Sequence, residues 1–332
     1  MPIFVFFYLL TTWWYKSKDL EIKKPIIVQY EPPDNLRPAE VDTIMNQKAK
    51  PKDITATIIY LAVKDYLKIK EIEISKNKHD YELELLKKDF VASQDLKEYE
   101  KEILKKIFYI NDPNNNFLRK KISISELDKN FYRYIPHILL KIQESVFKLD
   151  YLDKNSHKLS LNLFSIGILL LISSTFFFKN LVFIISFLIS SVLFIIFSFF
   201  IPRRTPKGAE AYWKILGFKE YINKAEKYRS EFYEKENIFE KYLPYSIIFN
   251  LVNKWASVFE SVYKSPPSWY KAKIDQRADF PTFVYSLNRS IDRLNSVFVT
   301  KGKGGTNRIV RKDGFSSGFS GGGYGGGGGK SW

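Results

Sequence analysis

The 332-residue chain contains no cysteine. That removes disulfide staples, thiolate metal ligands and thiol nucleophiles at once. Histidine is nearly absent too: His79, His137 and His157 stand far apart, so an imidazole-built metal site is not expected. No GxSxG or HExxH spacing occurs. Gly302-Lys303-Gly304-Gly305-Thr306 has the glycines of a phosphate loop but neither its spacing nor a strand before it. The last lack is local. Over residues 161–201 the only ionisable side chain is Lys179, and intramembrane charges are what pumps and transporters use. These gaps point away from catalysis and transport. No enzyme activity and no cofactor is expected.

What is present starts with that same stretch. It reads LNLFSIGILLLISSTFFF, then Lys179-Asn180, then LVFIISFLISSVLFIIFSFFI. Each half is about 20 apolar residues, roughly the length a helix needs to cross ~30 Å of hydrocarbon. Two transmembrane helices joined by a tight turn are predicted over 159–202. The plainer alternative, a soluble core helix, rarely runs this long without a polar face. A third apolar segment, residues 1–15, ends in Trp13, Trp14 and Tyr15, an interfacial aromatic belt. It is too short to span and has no signal-peptide features. It reads as the tail end of a membrane helix from a truncated or alternative start.

The formal net charge is +16, about +4 over 16–158 and +11 over 202–332. Lys16, Lys18, Lys23 and Lys24 follow the first segment, Lys154 and Lys158 precede the hairpin, and Arg203, Arg204 and Lys207 follow it. By the positive-inside rule both soluble parts face the cytosol of an inner (plasma) membrane. Arg203, Arg204 and Lys207 either touch anionic lipid, with Tyr212 and Trp213 at headgroup level, or serve only as topology signals.

Residues 16–158 read as an α+β unit. A Pro-rich entry leads to a short helix with Pro38 at its first position and Glu40 in its first turn. A second helix, ITATIIYLAVKDYL, is capped by Asp53. LKIKEIEI and YELEL alternate like a hairpin. Two helices then a hairpin is the order of a winged-helix unit. Asp95 and Glu98 have capping-box spacing before the next helix, and 111–116 is a loop. A helix capped by Ser125 then runs towards Leu152 with a kink at Pro136. After the hairpin, helices are predicted over about 209–235 and 238–263. The second carries two apolar rows, suited to core packing or to the membrane interface. Residues 266–332 are assigned to a Gly-rich, disordered tail. It is either inert or, through Phe315, Phe319, Tyr324 and Trp332, a short recognition motif.

The winged-helix order raises nucleic-acid binding through Lys64, Lys68, Lys70, Lys76 and Lys78. Asp65, Glu71, Glu73, Asp80, Glu82 and Glu84 share that segment and would repel phosphate. Protein–protein interaction by a membrane-anchored scaffold is the favoured reading, with the bilayer and an unnamed protein as partners. A tethered nucleic-acid regulator is the alternative.

YEPPDNLRPAEVDTIMNQ, DITATIIYLAVKDYLKI, the apolar hairpin, GAEAYWKILGFKEYINKAE, FEKYLPYSIIFNLVNKW, PSWY and GFSGGGYGGGGGKSW together resemble the YciQ-like family of predicted membrane proteins of unknown function. The resemblance covers nearly the whole chain. It implies a β-rich extracytoplasmic domain ahead of the first membrane helix, which this chain does not contain. Arg37 stands where the family prefers a small capping residue, so the cap of the first short helix departs from the pattern. The family has no assigned catalytic residues, and none is carried over.

Overall fold

The computed structural model describes residues 2–16, 25–75, 78–112, 115–177, 181–225, 237–271 and 279–299. The Lys179-Asn180 turn, the lysines at 18, 23, 24 and 76, and the Gly-rich end lie outside them. Most of the described chain is helical, with a small mixed sheet.

The apolar hairpin forms as two helices, α7 (Lys154–Ser174) and α8 (Leu181–Phe200), after the chain has begun with α1 (Pro2–Lys16). Hydrophobic collapse cannot hold helices together in a bilayer, so close backbone approach and hydrogen bonds must do so. Gly167 supplies the approach: a Cβ there would sit 2.7 Å from Ile195 Cγ1. Ser191 Oγ donates to the Gly167 carbonyl at 2.8 Å, and Ser160 Oγ to that of Ser198 at 2.6 Å. The α1 helix lies along α8 through Phe6 and Phe197, and Leu9, Leu163 and Ile201 close a small buried cluster.

The body is built around α3 (Pro51–Val63). Every residue from Asp53 to Ala62 is buried, because ITATIIYLA is apolar on all sides. Around α3 pack α2 (Pro38–Asn46), α4 (Glu98–Phe108) and α6 (Ile135–Lys148). From beyond the hairpin come α10 (Ile238–Ile248) and α12 (Phe280–Val299). The chain passes to them through α9 (Pro206–Asn223), with α11 (Val252–Phe259) between α10 and α12. One buried cluster therefore joins Ile58 and Ile103 before the membrane helices to Leu243, Trp255 and Leu287 after them.

Strands β1 (Leu67–Ser75) and β2 (Lys78–Leu85) pair antiparallel, with Ile69 opposite Leu83. The strands β5 (Lys121–Ser123) and β6 (Tyr270–Lys271) complete a four-stranded sheet in the order β5-β2-β1-β6. A separate pair, β3 (Tyr109–Asp112) and β4 (Asn115–Leu118), occupies the segment expected to be a loop, and α5 (Ile124–Leu127) follows β5.

Several expectations change. The 238–263 helix breaks after Ile248, where Asn250 takes a left-handed φ of 59°; both of its apolar rows are core, not membrane surface. Residues 280–299, assigned to the tail, form α12, whose Phe283, Leu287 and Leu294 are fully buried. Pro136 begins α6 instead of kinking it, and Ser123 caps α5 in place of Ser125. Asp53 and Asp95 are not caps. Three helices start with one shared device, an acidic residue at the third position accepting the N–H of a basic N-cap residue. The pairs are Glu40 with Arg37 at 3.0 Å, Asp53 with Lys50 at 2.6 Å and Glu100 with Lys97 at 2.8 Å.

Candidate functional site

The three basic residues at the membrane exit meet protein acceptors. Arg203 reaches the Asp153 carboxylate through Nε and Nη2 at 2.7 Å each. Arg204 Nε donates to the Ile44 carbonyl at 2.8 Å and Nη2 to that of Met45 at 2.6 Å. Those carbonyls end α2, where the helix dipole favours a cation. The Arg204 guanidinium also lies 4.0 Å over the Tyr212 ring. Lys207 Nζ donates to the Leu149 carbonyl at 2.8 Å and sits 4.4 Å over Tyr151. Gly208 has no room for a Cβ, which would run into the Tyr151 carbonyl. Burial pushes the Asp153 carboxyl up, but bonds from Arg203 and from the Asn155 and Ser156 N–H groups outweigh it and hold the group below its usual range. The exit is a clamp joining the hairpin to the body.

The lysines considered for nucleic acid are spread and countered. Lys68 faces Glu84 across the strands and Lys70 faces Glu82. Lys121 lies 3.1 Å from Glu82, and Lys120 3.7 Å from Glu84. Lys64 is exposed at the end of α3, near the Tyr60 ring; Lys76 and the Lys78 side chain lie outside the described residues. The helix that would enter a DNA groove is α3, which has no solvent-facing side from 53 to 62.

Buried carboxyl groups lie inside the body. Glu40 accepts from Lys97 Nζ and Ser145 Oγ, both at 2.6 Å. Glu100 lies 3.8 Å from Arg37 Nε, and burial pushes its carboxyl up to about 7. Arg37, the departure at the cap, donates to the Tyr60 hydroxyl and the Asp95 carbonyl. Asp53 is raised well above the carboxylate range, by burial first and then by neighbouring Asp42.

The site that the sequence did not reveal lies between the sheet and α12. On the inner face of the sheet, Leu67 and Ile69 give way to Glu71 along β1, while Leu85 and Leu83 give way to Tyr81 and His79 along β2. This polar end borders a cavity of about 320 Å³ lined by His79, Tyr81, Arg289, Asp292 and Arg293. Beneath it, the Tyr270 hydroxyl donates to Ser286 Oγ, which donates to Glu71 Oε2 at 2.8 Å; Glu71 Oε1 lies 3.1 Å from His79 Nδ1. Tyr81 is only 2% exposed, and its hydroxyl, though near Ser286, makes no well-formed hydrogen bond. Burial raises its pKa. Arg289 stands on the rim over the Tyr285 ring, at 5.8 Å, and Tyr285 is 66% exposed. Arg293 pairs with Asp128 Oδ2 at 3.5 Å and reaches Ser125 Oγ at 3.4 Å. Ser286 is buried and gives its proton to a carboxylate, so this is not the serine–imidazole arrangement of a hydrolase. The available signal was the helical spacing of Ser286, Arg289 and Arg293, hidden by assigning 280–299 to the tail.

Two helices are long and apolar enough to cross a bilayer and are largely exposed in the fold, which supports a membrane location. The family model described as the C-terminal domain of a predicted membrane protein, DUF2207, matches residues 27–259, and the chain belongs to that family. No curated protein and no solved structure matches the chain. The match takes in β2 and the clamp and ends before α12.

Proposed function

We propose that the chain is a membrane-anchored binding module, acting as an interaction scaffold for a protein partner and not as an enzyme. Both soluble flanks face the cytosol of an inner (plasma) membrane by the positive-inside argument, and the partner docks at the groove between β2 and α12. The observation that carries this reading is the Tyr81 hydroxyl, buried at the groove without a well-formed bond. A buried unsatisfied donor costs about 1–3 kcal/mol, and binding sites are where such a cost is repaid. The clamp supports it: a body fixed to its anchor presents one face at one orientation. The α2, α3, β1, β2 order keeps the winged-helix-like pattern, with α3 serving as core. The nucleic-acid alternative has no observation in its favour.

The test places a photocrosslinking residue at Tyr285 of the full chain in native membranes. A reproducible crosslinked protein, lost with Arg289→Glu, supports the module. Crosslinks to lipid alone, or a protein adduct indifferent to Arg289→Glu, remove it.

A further inference from the structure

The groove also defines what its partner must present. Resting on the binding-module reading, we infer that it recognises a carboxylate carried next to an aromatic or large apolar group, as at an acidic or C-terminal residue of a peptide. The cavity of about 320 Å³ is at the small end of ligand pockets. Three of its five lining groups are donors, the Tyr81 hydroxyl, the Arg289 guanidinium and Arg293, against the one carboxylate of Asp292; Arg293 is held by Ser125 and Asp128 at 3.4 and 3.5 Å. Arg289 and Tyr81 line the same cavity, so the rim cation and the buried donor border one space that an oxyanion could enter. A planar carboxylate matches the fork of a guanidinium.

Charge decides between oxyanions. Asp292 in the lining and Glu71, which lies behind His79 and Ser286, are acidic. A dianionic phosphate would set its second charge against them, whereas a carboxylate carries one. Asp292 is itself raised by burial, as expected of a carboxyl with little cationic support. The exposed Tyr285 ring beside Arg289 gives an apolar neighbour a surface to lie on.

The experiment uses the full chain in detergent and three probes: N-acetyl-phenylalanine, its neutral amide, and inorganic phosphate. The acid is expected to bind at least tenfold more tightly than the amide, with phosphate weaker than the acid. Arg289→Gln should remove most of the acid–amide difference. Tyr81→Phe carries a sign that a structural tyrosine would not show. Deleting an unsatisfied hydroxyl should leave the thermal midpoint of the free protein unchanged or raise it, while weakening acid binding several-fold. Equal binding of acid and amide, tighter binding of phosphate, or a Tyr81→Phe variant that loses stability while keeping acid affinity would overturn the inference. A protein crosslink at 285 that persists while the acid and amide bind alike would leave the module standing and the carboxylate refuted. Acid binding with no crosslinked protein would do the reverse.

Discussion

The membrane exit and the groove are both lined by arginines on partly exposed surfaces, and they are put to opposite uses. At the exit, Arg203 and Arg204 meet a carboxylate and two carbonyls within 2.9 Å. At the groove, Arg289 and Arg293 meet a ring at 5.8 Å and long contacts of 3.4–3.5 Å. Net charge treats the two sites alike. What separates them is whether the neighbouring backbone has left acceptors unsatisfied. The end of α2 has free carbonyls by helix geometry, so it captures Arg204. The middle of α12 has none to offer, so Arg293 is left with Ser125 and Asp128 at 3.4 and 3.5 Å and Arg289 with the face of the Tyr285 ring.

The strongest way to break this comparison is at Gly208. A Cβ there collides with the Tyr151 backbone, which cannot yield as a flexible side chain could. Gly208→Val should destabilise the protein by more than ~3 kcal/mol, read as a collapse of the thermal midpoint in detergent.

Glu100 extends the comparison to a charge with no exposure at all. Its folded pKa is raised from 4.5 to about 7. A raised carboxyl binds its proton more tightly in the folded state, so its stabilising contribution is full below pH 4.5 and is lost as pH rises through about 7. Thermal midpoints should fall between pH 5 and 8, and Glu100→Gln should remove most of that fall, worth about 2–3 kcal/mol. A pH-independent midpoint in the parent chain would refute the assignment.

Arg204→Met deletes two charge-assisted bonds to helix-end carbonyls and should cost about 2 kcal/mol. Protease should then cut more readily near 150–152 and 203–205, where the clamp opens. Arg289→Gln is the smallest effect: with no strong acceptor to lose, stability should stay within ~0.5 kcal/mol of the parent, although acid binding suffers. A comparable loss from Arg204→Met and Arg289→Gln would abolish the distinction between the two sites.

Much of the architecture was legible because it follows from local chemistry. The apolar runs before and after Lys179 demanded two long helices. The alternation of LKIKEIEI and YELEL demanded a hairpin, and Pro38 marked a helix start. The Lys/Glu interleaving foretold a strand face of alternating charge, on which Lys68 stands opposite Glu84. Helix ends were read less well. Asp53 is a good N-cap type, but Pro51 fixes the start two residues earlier and turns Asp53 into the third-position acceptor. Asn250 gave no apolar break, yet its left-handed backbone divides a helix whose apolar rows looked continuous.

By itself, then, the sequence determined the two long apolar helices, the β-hairpin and its alternating charges, since each depends on residues near in the chain. Only the tertiary structure decided the fate of the cations and the location of the groove. Arg204 finds the carbonyls of Ile44 and Met45 about 160 residues away, and Ser286 finds Glu71 across 215. No periodicity encodes such distances. They arise because α3 is apolar on every side and must be covered by helices from both flanks of the membrane hairpin. That demand draws α12 onto the polar end of the sheet and builds the groove.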